Sequence, residues 1–374
     1  MPLKIGAVSE NADGEKRIAI VPEVAKKFAA LGATVQMERL AGLASHYPDN
    51  EYAGVDLRHS ADEVIAGAGL YLCVQPPTPD RIDRLAAGSV VAGLLRPYES
   101  RERLEQLCRK GITSIAMELV PRISRAQSMD ALSSQAACAG YQAALIAAAR
   151  STKFFPMLTT AAGTIRPAKV FVIGAGVAGL QAIATCRRLG AIVEAYDVRA
   201  AAREQIESLG ARFLDTGVTA EGAGGYAREL TEEEKAAQRE KLAKALSNVD
   251  CVICTAAVPG RRAPIIITKE MIARMRFGTI IVDMAAESGG NCELTQPGQH
   301  VIANDVHIGG PINLTSRMPT HASEMYAKNL YNLFSPFIKA GELKLDFADD
   351  VIAGSLLTHE GKVVNDTVKK ALEI

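Results

Sequence analysis

This sequence has no excess of either charge: 42 Lys and Arg balance 42 Asp and Glu. Without a global field the chain cannot draw in nucleic acid or an anionic surface generally, so polyanion partners are not expected and only local sites remain. No G-x-x-x-x-G-K-[ST] phosphate loop and no H-E-x-x-H occurs. The histidines, His46, His59, His300, His307, His321 and His359, show no metal-ligand spacing, so no metal site is expected. The cysteines number seven, an odd and scattered set, and the opening Met-Pro-Leu-Lys-Ile-Gly has no signal-peptide pattern; a reduced, cytoplasmic protein is expected. One pair, Cys251 and Cys254, has C-x-x-C spacing. It lies in the apolar run Val249–Thr255, which reads as a buried strand, and residues three apart on a strand point to opposite faces. That predicts structural thiols rather than a redox or metal pair.

Long hydrophobic runs are scarce as well. Ala131–Ala149 is 19 residues without a charge, nearly enough to cross a bilayer. It is mostly alanine, and it holds Ser133, Ser134, Gln135, Gly140, Tyr141 and Gln142. Alanine gains little from lipid and the amides would cost several kcal/mol there, so a buried helix is expected and no membrane span.

At 374 residues the chain is too long for one ordinary core. Strand and helix alternate from the start. Strands read at Leu3–Val8, Thr34–Glu38, Leu70–Val74, Val90–Leu95 and Thr113–Ala116; helices read at Pro22–Leu31, Ala61–Ala66 and Glu99–Arg109. A second such rhythm follows the alanine-rich helix, with strands at Lys169–Ile173, Ile192–Tyr196, Val249–Thr255 and Thr279–Met284. Its helices read at Ala178–Leu189 and Thr231–Ser247, the latter opened by a Thr231–Glu234 capping box. The pattern predicts an α/β protein of two doubly wound, Rossmann-like domains with parallel sheets, joined by two long helices, Ala131–Ala149 and His321–Ile338. The first domain is then discontinuous, 1–136 plus 322–374, and the second is 137–321.

Gly174-Ala175-Gly176-Val177-Ala178-Gly179 follows the strand Lys169–Ile173 and opens the helix Ala178–Leu189. In that context G-x-G-x-x-G predicts dinucleotide binding. Gly174 permits the tight turn, Gly176 lets the backbone approach a diphosphate, Gly179 lets helix and strand pack closely, and the helix N-terminus attracts the anion. Asp197, 23 residues after Gly174, stands at the end of the next strand, where an acid accepts from a ribose 2′-hydroxyl and repels a 2′-phosphate. NAD(H) is therefore the expected cofactor, although Arg199 close by weakens the discrimination.

Three further stretches carry polar groups. Pro121–Gln135 holds Arg122, Arg125, Gln127, Asp130 and four hydroxyls between a strand and a buried helix, at the carboxyl ends of strands where two domains would face each other. It fits a nicotinamide-holding loop, and equally helix capping by Ser133 or Ser134 with an Arg122–Asp130 ion pair. Asp215–Leu230, with Gly224, Gly225 and Tyr226, has no regular period and reads either as a lid over nucleotide or as a loop without function. Ile281–Cys292, with Asp283 and Glu287, reads either as a crevice wall or as a structural turn.

Together these motifs resemble the alanine dehydrogenase and transhydrogenase NAD-binding superfamily. Leu3–Ala19, with Lys4-Ile5-Gly6 and Glu15-Lys16-Arg17-Ile18-Ala19, resembles its opening. Met117–Asp130 is very similar to the Arg-Gln-Asp loop of the NAD(H)-binding component of proton-translocating transhydrogenases, and the segment at Gly225 and Tyr226 resembles that family's mobile loop. The resemblance implies that Arg122, Gln127, Asp130 and Ser133 hold the nicotinamide end, with Gln127 meeting the partner's nicotinamide as well. It implies a backbone contact from Val177 to the diphosphate, an adenosine-ribose region at Asp197, Val198 and Arg199, a closing loop at Gly225 and Tyr226, and pocket walls at Thr255 and Ala257. It further implies a homodimer that binds NAD(H) and works against an NADP(H)-binding partner and a membrane-embedded partner, itself peripheral to the inner membrane. In the alanine dehydrogenase branch a lysine and a histidine handle substrate. Here those positions are Gln75 and Arg96, the acid before Gly-Gly is Glu287, and only Arg17 matches. An amino-acid dehydrogenase must move a proton at nitrogen as it moves hydride, and these replacements leave no acid–base pair for it. Direct hydride transfer between nucleotides needs only proximity and orientation. An alanine-dehydrogenase-like enzyme and a non-catalytic NAD-sensing module remain as alternatives.

Overall fold

The computed structural model describes residues 2–220, 228, 230–257, 260 and 262–374. The chain forms two compact units, Met1–Gln135 with Thr315–Ile374, and Ala136–Leu314. The helix Ala131–Arg150 straddles the first boundary. The helix Pro319–Phe334, opened by proline at its first position, starts after the second boundary and belongs wholly to the first unit.

The first unit is built on an eight-stranded sheet. Its order is Lys362–Val363, Leu356–His359, Thr113–Ala116, Val90–Gly93, Leu70–Leu72, Lys4–Ala7, Thr34–Glu38 and Asp56–Arg58. The six N-terminal strands are parallel, and the two C-terminal ones add antiparallel at one edge. Strand residues alternate between two cores, as the pleat requires: Leu70, Leu72 and Val74 on one face, Tyr71 and Cys73 on the other. Both faces are covered by helices, which is why these strands are apolar throughout rather than alternating.

The second unit has a seven-stranded sheet ordered Arg212–Phe213, Ile192–Tyr196, Lys169–Ile173, Cys251–Cys254, Ile280–Asp283, Val306–Gly309 and His300–Ala303. All neighbours are parallel except the edge strand His300–Ala303. Val170 and Val172 pack on one face, Phe171 and Ile173 on the other. Cys251 and Cys254 likewise fall into opposite cores, and burial pushes the Cys251 thiol up to about 12. The pair is therefore structural.

Alanine in the helix Ala131–Arg150 serves close packing. Ala143, Ala144 and Ala147 have no exposure and share a core with Val170 and Ala182. A Cβ on Gly140 would sit 2.1 Å from the Ala178 carbonyl oxygen, so glycine there lets backbone meet backbone. No helix among the described residues is long and apolar enough to cross a membrane.

Candidate functional site

In the second unit the strand order reverses between Lys169–Ile173 and Cys251–Cys254, and a crevice opens beyond the carboxyl ends of strands at such a point. A cleft of about 480 Å³ lies there. Gly174, Gly176, Asp197, Val198, Arg199, Thr255 and Ala257, all singled out from the sequence, line it.

The glycine turn shows why two of its glycines are needed for the fold. Gly174 has φ +89°, and a Cβ on it would meet the Thr255 hydroxyl at 2.7 Å. A Cβ on Gly179 would lie 1.9 Å from the Gly174 carbonyl oxygen, so any side chain would push the helix Val177–Arg188 off the strand. Gly176 differs: its backbone is extended, and a Cβ there would meet nothing within 4 Å. The space beside it is open, as a diphosphate approaching the helix N-terminus requires. Val177 is the first residue of that helix and stands exposed. Thr255, read from sequence only as a wall, also locks the turn: its hydroxyl donates to the carbonyls of Ile173 and Gly174 at 3.1 and 2.9 Å.

Asp197 is nearly buried, and its carboxylate is held on two sides. Oδ2 accepts from the Ala175 N–H at 2.7 Å, tying the acid to the glycine turn. The Arg199 guanidinium pairs with both oxygens, at 2.9 Å from Nε and 2.7 Å from Nη2. Burial alone would raise this carboxyl, but the bonds from Arg199 and Ala175 outweigh it and hold it below the usual range. The acid is thus anionic at neutral pH, and Arg199 is drawn onto it.

The lining residue Gln238 escaped the sequence reading, and other polar groups brace the cleft from behind. Gln238 projects from the helix Glu232–Leu246 and donates to the Tyr196 hydroxyl at 2.7 Å, so this charged helix presents a buried amide to the cleft. The expected capping box, Thr231 with Glu234, is present at its start, and Arg228 pairs with Glu234 at 2.7 Å. Asn291 is fully buried; it accepts from the Ala256 N–H and donates to the carbonyls of Ala256 and Pro264, fixing the loop after Cys251–Cys254. Asp283 in turn accepts from the N–H groups of Ala285, Asn291 and Cys292 and from the Thr295 hydroxyl. Burial still raises its pKa despite these four bonds. Of the two readings of Ile281–Cys292, Asp283 thus follows the structural turn, while Glu287 is exposed. Gly225 and Tyr226 lie outside the described residues.

In the first unit, Arg122, Gln127, Asp130 and Ser133 lie on or beside one short platform. Ser124–Met129 forms a 3-10 helix whose Ala126 and Met129 are buried in the core, leaving Gln127 exposed between them. Asp130 caps the following helix: Oδ1 accepts from the Ser133 N–H at 2.9 Å and Oδ2 from its hydroxyl at 2.6 Å. The cap is therefore Asp130, not Ser133 or Ser134, and Ser134 turns instead to Asn329 at 2.7 Å. Arg125 pairs with Asp349 at 2.9 Å and with Asp350.

The order of the first sheet reverses too, between Lys4–Ala7 and Leu70–Leu72, and a network of polar side chains includes Gln75, just beyond the second of these strands. Glu15 takes the Arg17 guanidinium bidentately, at 2.8 Å to Nε and 2.6 Å to Nη2. Arg17 Nη1 donates to Gln135 at 2.8 Å, Gln75 donates to Glu15 at 2.7 Å, and Arg96 donates to Gln75 at 3.0 Å. Burial would raise the Glu15 carboxyl, but Arg17 overrides it and holds the group down at about 2. Two further glutamates secure the strand ends nearby. Glu10 accepts from the N–H groups of Val74 and Gln75, and Glu118 from those of Leu95 and Arg96. Burial pushes each up to about 7. Arg96 sits at φ +48°, a left-handed conformation unusual for a side chain of its size, and Glu118 holds its N–H.

Comparison with known proteins agrees with this architecture over the whole chain. The family profile described as Alanine dehydrogenase/PNT, N-terminal domain matches residues 6–139, and its C-terminal counterpart matches residues 143–366. The chain is 43% identical to the first-part chain of NAD(P) transhydrogenase subunit alpha from Rhodospirillum rubrum, over 97% of this chain and 98% of that protein. It is 42% identical to the protein of the same name from Rickettsia prowazekii, over 99% and 98%. The crystal structure of transhydrogenase from Sinorhizobium meliloti superposes with a TM-score of 0.87 at 41% identity, covering 96% of this chain and 100% of that one. With a glycine turn, a strand-end acid and two doubly wound units matched from end to end, this chain belongs to the alanine dehydrogenase/PNT family.

Proposed function

We propose that this chain is the NAD(H)-binding subunit of a proton-translocating transhydrogenase. It exchanges hydride directly between NAD(H) in the cleft of the second unit and NADP(H) on a partner subunit. A membrane-embedded partner couples that transfer to proton movement, and the chain works as a homodimer held at the membrane through these partners. The observation that carries this reading over an amino-acid dehydrogenase is the state of Arg17. Its guanidinium, which would have to seize a substrate carboxylate, is neutralised and hydrogen-bonded by Glu15 and Gln135 of the same chain. Gln75 and Arg96, where the alanine dehydrogenase resemblance calls for a lysine and a histidine, are bonded to each other in the same network.

The cleft residues fit the nucleotide. The turn at Gly176 and the N–H groups opening the helix Val177–Arg188 would hold the diphosphate. Asp197 would accept from the adenosine ribose and, as an anion paired with Arg199, reject a 2′-phosphate. Val198, Thr255 and Ala257 form walls. By resemblance, Arg122, Gln127, Asp130 and Ser133 orient the nicotinamide end, and Gly225 and Tyr226 belong to a loop closing over it. When bound, NAD(H) supplies the carbon that gives or takes hydride. The chain supplies orientation and no proton, as transfer between two nicotinamides requires.

The test is NADPH-driven reduction of an acetylpyridine analogue of NAD⁺, with and without the partner subunits, beside a control of NADH, pyruvate and ammonium. Turnover only with partners is expected. Pyruvate turnover by the chain alone would overturn the proposal.

A further inference from the structure

The platform that presents Gln127 is tied to the helix Pro319–Phe334 at one atom. The Ser128 carbonyl oxygen accepts from Asn329 Nδ2 at 2.9 Å and from Asn332 Nδ2 at 3.0 Å. The two asparagines stand one helical turn apart, so their amides converge from the same face. Asn329 is itself fixed: it is 7% exposed, and its Oδ1 accepts from the Ser134 hydroxyl at 2.7 Å. Ser134 in turn accepts from Gln135 at 3.2 Å, and Gln135 is bonded to Arg17 and to the Ala322 carbonyl. The brace therefore runs from the buried Glu15–Arg17 pair to the backbone beside Gln127. Its Asn332 end lies at the surface, where water would satisfy a carbonyl at little cost. Two side-chain donors converging there add little to stability and much to position. They do so on a 3-10 turn, whose own hydrogen bonds are poorer than those of an α-helix.

We infer that Asn329 and Asn332 are positioning residues for hydride transfer, holding the Ser128 carbonyl and through it the register of Gln127. The inference rests on the role proposed above for Gln127. Misplacing a reacting group by about an ångström can cost on the order of 100-fold in rate. Loss of one of the two donors is expected to cost about tenfold in transfer, at unchanged nucleotide affinity. The variants are Asn332→Ala, at the exposed end, and Asn329→Asp. The second keeps the acceptor for Ser134 but sets a carboxylate oxygen against the Ser128 carbonyl. Each is assembled with the partner subunits, beside Gln127→Asn. Transfer from NADH to NADP⁺ is followed by stopped flow, NADH affinity by nucleotide fluorescence, and melting temperature by circular dichroism. Slower transfer with wild-type NADH affinity, and an unchanged melting temperature for Asn332→Ala, is expected. If Gln127→Asn slows transfer while both asparagine variants run at the wild-type rate, the positioning role is overturned and the function stands. Loss of rate that only tracks loss of NADH affinity overturns it as well. If Gln127→Asn itself runs at the wild-type rate, the proposed role of the loop falls, and this inference with it.

Discussion

Gly176 and Gly179 are both small residues of one turn, yet the structure separates what each is for. At Gly179 an added Cβ would lie 1.9 Å from the Gly174 carbonyl oxygen and 2.9 Å from the Thr255 hydroxyl. The first is backbone and cannot swing aside, so the helix must retreat from the strand. Overpacking of that kind costs about 1–3 kcal/mol or more, and in a unit of this size each kcal/mol lowers the melting temperature by about 2–4 °C. At Gly176 an added Cβ would meet nothing within 4 Å, and φ −72° with ψ −171° suits alanine. Gly176→Ala should therefore be neutral, or stabilising by about 0.4–1 kcal/mol through the unfolded chain. In the proposed binding mode the same methyl stands where the diphosphate approaches. Weakening one or two charge-assisted hydrogen bonds of about 1.5–3 kcal/mol each raises the NADH dissociation constant by about 10- to 100-fold or more. Calorimetric melting without nucleotide, and NADH titration by fluorescence, read the two quantities separately. Gly179→Ala should lose stability and affinity together; Gly176→Ala should lose affinity alone. Wild-type NADH affinity in Gly176→Ala would refute the placement of the diphosphate at this turn.

Two more expectations follow from named groups. Asp197→Asn removes the anion that pairs with Arg199 and faces the cleft; NADH affinity should fall by about tenfold or more and the preference over NADPH should narrow, as competitive titrations would show. The buried acids of the first unit set opposite pH limbs. Glu10 and Glu118 are raised to about 7, so the stability they contribute is present below their unfolded value and is lost as pH climbs through about 7. Glu15, lowered to about 2, contributes stability above its unfolded value and loses it as pH falls towards 2. Melting temperature at constant ionic strength should thus decline from mildly acid to mildly alkaline pH, and Glu118→Gln should flatten that decline. An unchanged slope in Glu118→Gln would remove Glu118 as its source.

Local sequence determined much of this protein. The Thr231–Glu234 cap and the glycine turn depend on hydrogen bonds and dihedrals within a few residues, and the strand Lys169–Ile173 and the acid at Asp197 show in an apolar run and a motif spacing, so all four are legible without a fold. The opposite facing of Cys251 and Cys254 follows from the period of a strand alone. What needed tertiary structure were the contacts between distant segments. The short strand Leu356–His359 is legible only beside Thr113–Ala116, where the Ser114 and Thr358 hydroxyls meet at 2.6 Å. Gly140 reads as a flaw in an alanine-rich helix until the Ala178 carbonyl is found against it. Gln238 becomes a group of the cleft, and Asn291 a support of its Ala256 and Pro264 wall, only once the helix and the turn that carry them are placed. Arg17 can be read as a substrate anchor in sequence, and only the fold, by bringing Gln135 to it and Gln75 to its neighbour Glu15, decides that its guanidinium is already engaged. Spacing specifies which groups a segment carries, but whether a group is free or taken depends on partners that chain entropy keeps apart until the whole unit closes.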